Sequence, residues 1–252
     1  MATRKPTRKS SAIEPAAPRP IDLDALRERL TAAIPQPRCE LDHKDAWTLL
    51  IATILSAQST DRTVNTVTPV LFAKWPTPLA LATAPREEVE EVVHRTGFFR
   101  NKTKAIQGAS RVVHDQFGGE VPRDLDELIK LPGVARKTAN VVLGVAYGIP
   151  AGIVVDTHVM RVSRRLGLTQ HQDADKVEQD LCHRFDRDDW IAMGHRILLH
   201  GRYVCLAKSP DCQNCPLAEI CPSRDDLSAD EPVGSWQDRS LHERVRVGSG
   251  AQ

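Results

Sequence analysis

The chain has 252 residues, of which 41% are hydrophobic and 4% aromatic, and its 34 Lys and Arg nearly balance 33 Asp and Glu, giving a formal net charge of +1. That length can bury one large core or two smaller ones, and so few aromatic residues argue against a large β-sandwich. The longest nearly apolar stretch, residues 46–57, is too short to span a bilayer, and no apolar segment at the N-terminus directs secretion. We therefore expect a cytoplasmic protein that does not contact membranes.

The two ends of the chain differ from its body in charge and composition. Residues 1–19 carry five basic side chains against one acidic side chain, among several Pro, Ser and Thr, which predicts a disordered basic arm. Such an arm either contacts nucleic acid or only keeps the chain soluble. Residues 223–252 are rich in Ser, Gly and Asp, and we expect a disordered tail there as well.

Between these ends, the spacing of apolar residues is helical almost throughout. The pattern predicts helices at residues 22–30, 45–58, 60–75, 86–94, 101–117, 124–130, 135–147, 157–166, 174–185 and 189–203. Pro69 lies inside the third of these helices and is expected to kink or break it. Residues 153–155 form a short extended run at most, and no repeat of fixed period is present. The sequence therefore predicts an all-α protein.

Residues 131–139, with the sequence Leu-Pro-Gly-Val-Ala-Arg-Lys-Thr-Ala, lie between two predicted helices. Pro132 ends the first helix and Gly133 allows a tight turn, so the N–H groups of the turn and of the next helix start are left free. Free N–H groups at a helix N-terminus bind anions, such as a nucleic-acid backbone phosphate. An ordinary helix-helix turn has the same pattern, but Lys137 on the first turn of the second helix favours the phosphate site.

Four of the six cysteines form the pattern Cys-x6-Cys-x2-Cys-x5-Cys. They are Cys205, Cys212, Cys215 and Cys221. Four thiolates in one short segment indicate a metal or cluster site. Zinc ribbons use two Cys-x2-Cys knuckles, whereas here a single knuckle has a lone cysteine on each side, so a four-iron cluster fits better than zinc or disulfides. Cys39 and Cys182 have no neighbouring partner, and Cys182 is expected to be a buried structural thiol.

The hairpin at residues 131–139, the run Val-Asp-Thr-His-Val at residues 155–159 and the four-cysteine pattern occur in that order. With this order of motifs, the chain resembles the helix-hairpin-helix DNA glycosylases that carry an iron-sulfur cluster, over residues 20–222. The resemblance implies two helical lobes with DNA lying across the cleft between them. One is a helix-hairpin-helix six-helix domain at residues 39–150, and the other is a cluster domain formed by residues 20–38 and 151–222.

The resemblance also implies a chemistry for two residues. A repair glycosylase flips a damaged nucleotide out of the duplex so that an amine can attack its C1′ atom. Lys137 matches the family's nucleophile, which forms a Schiff base and then allows β-elimination of the 3′ phosphate. Asp156 matches the carboxylate that stabilises the cationic sugar. Without the resemblance, Lys137 is interpreted as a phosphate-binding helix lysine and Asp156 as a helix N-cap.

Other residues match DNA-contacting positions of the family. Gln58 resembles the residue that fills the gap left by the flipped nucleotide, and Phe98 resembles the wedge that enters the other strand, where leucine is more usual. The alternatives are a helix-end glutamine and a core phenylalanine. His158 either contacts phosphate or caps its helix. Lys208 matches a basic loop that touches phosphate, although Asp211 in the same loop offsets that charge.

Gly133 and Ala135 of the hairpin are expected to contact a DNA phosphate through their backbone. Ala135 stands where the family pattern has its second glycine. Alanine is tolerated there if the residue is already helical, but it hinders close approach of the phosphate if the backbone needs a positive φ.

With the resemblance, the sequence predicts a base excision repair DNA glycosylase with AP lyase activity and one 4Fe-4S cluster. Its expected partner is double-stranded DNA with damaged bases or abasic sites, and oxidised pyrimidines are the family expectation. We expect a monomer associated with the bacterial nucleoid. One alternative is an adenine mismatch glycosylase, which lacks the nucleophilic lysine and carries an extra C-terminal domain. The other is a non-enzymatic cluster protein that binds DNA or transfers electrons, which has no use for Lys137 facing Asp156.

Overall fold

The computed structural model describes residues 21–227, and every regular element in this part of the chain is helical. The α-helices are α1 (Leu23–Ala33), α2 (Ala46–Leu55), α3 (Asp61–Lys74), α4 (Pro78–Thr83), α5 (Arg86–Val93), α6 (Phe99–Phe117), α7 (Leu125–Leu128), α8 (Arg136–Tyr147), α9 (Thr157–Arg165), α10 (Ala174–Arg184), α11 (Trp190–Tyr203) and α12 (Arg224–Leu227). Two 3-10 turns lie at His94–Thr96 and Arg187–Asp189. The predicted all-α class is therefore confirmed. The predicted basic arm at residues 1–19 lies outside the described residues.

Most helix starts are fixed by a side chain that accepts hydrogen bonds from the first free N–H groups of the helix. At α2, Asp45 Oδ1 accepts from Thr48 N while Thr48 Oγ1 accepts from Asp45 N, which makes a capping box. Asp22 caps α1 and Thr60 caps α3 through their side chains alone, without a capping box. Because such caps are visible in the sequence, the predicted helix boundaries lie within a few residues of the observed ones.

Two helices differ from the prediction. Helix α3 continues through Pro69 without a break, because Pro69 lies on the exposed face, where the carbonyl that loses its partner can bind water. Helix α4 is absent from the prediction, because the prolines at positions 76 and 78 are typical of a turn. Pro78 instead occupies the first position of α4, where its missing N–H costs nothing, and Thr77 caps the helix through Ala80 N.

Two separate hydrophobic cores divide the described part of the molecule. The first, in the hairpin lobe, is built by α2 to α8 around α2, whose residues from Trp47 to Leu55 are all buried. The second, in the cluster lobe, is built by α1 with α9, α10 and α11. Helix α1 joins the second core although the whole hairpin lobe intervenes in sequence. The two cores support the predicted division into residues 39–150 and residues 20–38 plus 151–222, and these boundaries stay a prediction.

One set of polar contacts between the lobes fixes the start of α8. The Arg136 guanidinium donates to both carboxylate oxygens of Glu178 on α10 at 3.0–3.1 Å, and Asn140 Nδ2 donates to the same carboxylate at 3.0 Å. Gly152 passes so close that a Cβ atom there would lie 2.0 Å from Glu178 Oε1. A side chain at position 152 would therefore have to displace the Glu178 carboxylate from its contacts with Arg136 and Asn140.

A second set of polar contacts joins the end of α11 to the start of α3. The Arg202 guanidinium donates to Asp61 Oδ2 at 2.6 Å and also to the Glu40 carboxylate. The Tyr203 hydroxyl donates to the other oxygen of Glu40. All of these side chains are at most partly exposed, and the network links the two lobes.

The predicted disordered tail does not begin at residue 223. Helix α12 follows instead, because the Ser223 hydroxyl donates to Arg165 O at 2.7 Å and Leu227 N donates to Ser223 O. The rest of the predicted tail, residues 228–252, lies outside the described residues. Among residues 21–227, no helix combines the length and the apolar character needed to cross a membrane.

Candidate active site and cluster site

The turn between α7 and α8 is a tight hairpin packed on α6. Val134 N donates to Leu131 O at 3.1 Å, and Gly133 has φ 77°, a conformation that favours glycine. A Cβ atom at Gly133 would lie 2.6 Å from Ala105 Cβ, closer than two carbon atoms can approach. The backbone freedom that the sequence predicted for Gly133 is therefore used, and the contact with Ala105 adds a second reason for glycine.

Ala135 is the N-cap of α8, and its φ is −90°. This negative φ costs alanine nothing, so the replacement of the family's second glycine introduces no strain. No side chain caps α8, and its first helical hydrogen bond runs from Ala139 N to Ala135 O. The N–H groups of the first turn of α8 consequently have no partner within the helix and are available to an anion.

Lys137 and Asp156 line the same cleft between the lobes, which has a cavity volume of about 80 Å³. Lys137 lies in the first turn of α8 and is exposed, while Asp156 directly precedes α9 and is half-buried. The structure thus brings together the two side chains that the sequence singled out for catalysis.

The Asp156 carboxylate is also the N-cap of α9. Its Oδ1 atom accepts hydrogen bonds from His158 N at 2.8 Å and Val159 N at 2.9 Å. Within residues 21–227, its Oδ2 atom makes no hydrogen bond, so one oxygen is fixed by the helix and the other is left for the cleft. The positive end of the α9 dipole favours the charged carboxylate. The capping and catalytic interpretations of Asp156 are therefore compatible.

Gln58 and Phe98 occupy the tips of two exposed turns. Both have left-handed backbone conformations, with φ 52° and 48°, which are uncommon for residues with side chains. Phe98 is 64% exposed, so the core-phenylalanine interpretation is wrong. Strained backbone at an exposed aromatic tip costs free energy without improving packing, which is typical of a functional residue.

Sequence reasoning missed the side chain that anchors the Phe98 turn. Lys102 on α6 is only 5% exposed, and its Nζ atom donates to Thr96 O at 2.6 Å. Burial lowers the pKa of Lys102 below its ordinary value. Thr96 is itself held through its hydroxyl, which donates to Val93 O at 2.8 Å. These two bonds fix the backbone just before Gly97 and Phe98.

His158 lies at the start of α9 and is half-buried. Its Nδ1 atom is 3.3 Å from the Arg161 guanidinium, so the ring is held within its own helix. His158 lines a polar groove together with the start of α3 and the Arg202 network. It therefore faces the segment that follows Gln58.

The four cysteines of the C-terminal pattern surround one cavity, which Arg165, His200 and Leu217 also line. None of the cysteines is in a disulfide. Within residues 21–227, no three His, Cys, Asp or Glu side chains are arranged to hold a single metal ion. A zinc site needs its thiolates about 2.3 Å from one point, whereas a cubane cluster spreads them over four irons. Because residues 205–221 contain one Cys-x2-Cys knuckle with a lone cysteine on each side, and not the two knuckles of a zinc ribbon, the donor set fits a cluster better than zinc.

Basic side chains surround the thiols. Arg165 NH1 donates to Cys205 Sγ at 3.2 Å and to Leu206 O at 2.6 Å, and Arg161 donates to Cys205 O at 3.0 Å. Burial raises the pKa of the Cys215 thiol to about 12. Both arginines lie on α9, the helix that Asp156 caps, and they offset the negative charge that four thiolates bring.

The loop between the first two cysteines carries Lys208, which is exposed as a phosphate contact requires. Asp211 does not offset its charge at the surface as the sequence indicated. It is only 7% exposed and accepts hydrogen bonds from Asn214 N and Nδ2 at 3.3 and 3.1 Å, because the turn at residues 211–214 needs an acceptor inside.

The helical architecture and the hairpin match a known class of protein. Residues 51–186 match the family described as HhH-GPD superfamily base excision DNA repair protein, which covers more than half of the chain. Residues 205–221 match the iron-sulfur binding domain of endonuclease III. The fold and the hairpin therefore define a DNA repair protein of the helix-hairpin-helix class.

Individual relatives narrow this class. Endonuclease III of Synechocystis sp. is 54% identical over 189 residues, which cover 75% of this chain and 86% of the relative. Two solved structures are each 44% identical to this chain, with TM-scores of 0.77. One is a non-covalent endonuclease III–DNA complex, and the match covers 81% of this chain and 95% of the solved chain. The other is a trapped endonuclease III–DNA covalent intermediate with an estranged adenine, and the match covers 82% of this chain and 98% of the solved chain. The chain belongs to the endonuclease III family.

Membership in this family settles the class of activity and the cofactor. The protein is a base excision repair DNA glycosylase with AP lyase activity, and it acts on DNA. Its cofactor is a 4Fe-4S cluster. The predicted function, enzyme class and cofactor are confirmed, and the cluster protein without enzymatic activity is excluded.

Proposed function

We propose that Lys137 is the nucleophile of this glycosylase and Asp156 its carboxylate. The neutral Lys137 Nζ atom attacks C1′ of a flipped nucleotide, and the bond from C1′ to the base breaks, so that the base leaves with the electron pair and takes up a proton. Asp156 Oδ2 stabilises the positive charge that develops on the sugar. The observation that supports these roles is that both side chains line one cleft, from the first turn of α8 and the start of α9.

The lyase step follows from the same covalent bond. After the sugar ring opens to the Schiff base, loss of a C2′ proton and departure of the 3′ phosphate cleave the strand by β-elimination. Water then hydrolyses the Schiff base and frees Lys137. A solved relative that is 44% identical to this chain is a trapped covalent intermediate with DNA, which supports a covalent step here.

We propose that duplex DNA lies across the cleft, where one protein monomer holds it. The free N–H groups of Gly133, of Ala135 and of the first turn of α8 bind a phosphate, and His158 and Lys208 contact further phosphates. Gln58 and Phe98 replace and wedge apart the disrupted base pair, a role that their exposed and strained backbone supports. The substrates are oxidised pyrimidines and abasic sites in chromosomal DNA, for which the protein is expected at the nucleoid.

We propose that Cys205, Cys212, Cys215 and Cys221 hold the cluster. When bound, the cluster cross-links residues 205–221, of which Leu217 alone belongs to the fully buried part of the second core. It thereby fixes the loop that presents Lys208. Arg165 donates to one of the thiolates and balances part of the cluster's charge.

Borohydride trapping tests the roles of Lys137 and Asp156. Wild-type protein is expected to form a covalent adduct with a duplex that contains one abasic site. Lys137→Ala abolishes the adduct but keeps duplex affinity within about threefold, since a single exposed cation contributes little to binding. Asp156→Asn slows trapping by about a hundredfold. Lys176→Ala, an exposed lysine on α10, is the matched control and traps like wild type. Full trapping by Lys137→Ala would refute the nucleophile assignment.

A further inference from the structure

The cleft that holds Lys137 and Asp156 has a wall that no sequence motif predicts. Helix α11 contributes His195 and Leu199, one turn apart, and the segment between α1 and α2 contributes Cys39. A nucleotide flipped toward Lys137 places its base against this wall. The side chains of the wall therefore decide which base is accepted, if the proposed roles of Lys137 and Asp156 hold.

The His195 ring is fixed in one tautomer. Its Nδ1 atom lies 3.0 Å from Ile191 O, and because a carbonyl oxygen only accepts hydrogen bonds, Nδ1 carries the proton. Burial lowers the pKa of His195 below its ordinary value, so the ring is neutral at pH 7. Its Nε2 atom is consequently a bare acceptor. Within residues 21–227, Nε2 makes no hydrogen bond.

The neighbouring hydroxyl groups of the cleft already donate hydrogen bonds to backbone carbonyls. Thr53 Oγ1 donates to Leu49 O at 2.7 Å, and Ser56 Oγ donates to Thr53 O at 2.9 Å, so both point back into α2. The Arg202 guanidinium is engaged with Asp61 and Glu40. His195 Nε2 is therefore a fixed neutral acceptor in a wall where these other polar groups are satisfied.

We propose that His195 Nε2 accepts a hydrogen bond from the N–H at N3 of a flipped uracil-type or thymine-type base. These bases keep the N3–H donor when their 5,6 double bond is oxidised or saturated, so the contact survives the damage. This inference rests on the proposed function, since it requires the base to enter the Lys137 cleft. His195 then selects the base without taking part in the covalent step.

The test compares 5,6-dihydrothymine with its N3-methyl derivative in the same duplex. Wild type is expected to release the parent base about tenfold faster, the value of roughly one hydrogen bond. His195→Leu keeps a similar volume but removes the acceptor. The release rate of 5,6-dihydrothymine should therefore fall about tenfold, to the release rate of its N3-methyl derivative. His195→Gln keeps an acceptor oxygen and retains the preference for the parent.

Cleavage of an abasic duplex separates this inference from the proposed function. The abasic site has no base, so all His195 variants are expected to cleave it within about twofold of wild type. If His195→Leu still releases 5,6-dihydrothymine faster than its N3-methyl derivative, the preference is steric and the proposal is wrong. Equal release of both bases by wild type would also overturn the proposal. A parallel loss of abasic cleavage in His195→Leu would show a structural role. Failure of wild type to cleave the abasic duplex would instead overturn the proposed function.

Discussion

The hairpin between α7 and α8 and the loop at residues 205–221 are both proposed to meet the DNA backbone, yet they are held in place differently. The hairpin is held by close packing on α6. Gly133 lies where a Cβ atom would be 2.6 Å from Ala105, and a Cβ atom on Gly108 would be 3.1 Å from Pro132. The hairpin can therefore form together with the first hydrophobic core.

The loop at residues 205–221 lacks such packing. Leu217 is its fully buried side chain in the second core, whereas Ile220 and three of the cysteines are only partly buried there, and polar bonds tie the loop to Arg29, Arg161 and Arg165. Such bonds contribute about 1 kcal/mol each, too little to order a loop of this length. The comparison teaches that small residues and apolar packing shape one DNA-contacting segment, whereas the other depends on its cofactor.

The largest expected effect is the loss of a cluster ligand. Cys212→Ala is expected to lower Tm by about 10 °C, because the cluster's binding energy is also folding energy for the loop. Amide hydrogen exchange is the sharper measurement. Protection should fall at residues 205–221 and along α9 and α11, but persist in α2 and α8 of the hairpin lobe.

The matched control for this variant is Cys182→Ala, which removes a half-buried thiol outside the four-cysteine cavity. It should cost about 1 kcal/mol and keep the visible absorption of the cluster. Equal loss of protection in α2 and α8 after Cys212→Ala would show that the hairpin lobe also depends on the cluster, and the contrast between the two segments would fail.

A smaller effect is expected when the hairpin loses its glycine. Gly133→Ala places a side chain at φ 77° and against Ala105, so we expect a loss of about 2–3 kcal/mol in urea unfolding and about tenfold weaker duplex binding by fluorescence anisotropy. Gly148→Ala has a similar φ of 65° but no atom within 4 Å of the new Cβ. It should cost about 1 kcal/mol and leave duplex affinity unchanged. Similar losses in both variants would mean that packing on α6 does not hold the hairpin.

Sequence predicted the parts of this site whose chemistry demands particular residues in a particular order. Gly133, Lys137 and Asp156 belong to short local patterns, and four closely spaced cysteines indicate a cluster without any tertiary information. Helix starts were equally visible, since Asp45 and Thr60 cap through bonds to residues three positions away.

The cleft wall was not predictable, because His195 and Cys39 come from elements more than 150 positions apart in sequence and meet only in the fold. The sequence contains one weak indication that Lys102 is buried. It occupies the same helical face as the buried residues Ile106, Ala109 and Val113, where a lysine needs a partner. Its acceptor is a backbone carbonyl, and any residue can supply one, so Thr96 could not be identified from the sequence.

The smallest expected effect on stability has the opposite sign. Helix α8 has no side-chain cap, although an Asp or Thr side chain caps most helices among residues 21–227. Ala135→Asp should supply that cap and raise the free energy of unfolding by about 1 kcal/mol.

The new carboxylate at position 135 would occupy the N–H groups of the first turn of α8 that are proposed to bind the phosphate, and it would repel the phosphate. Duplex affinity should therefore fall at least tenfold at low salt. Ala135→Ser adds a similar cap without charge, and its smaller loss would separate occupation of the N–H groups from repulsion. Unchanged affinity in both variants would show that the start of α8 does not bind the DNA backbone, since a site that needs its N–H groups free cannot also cap them.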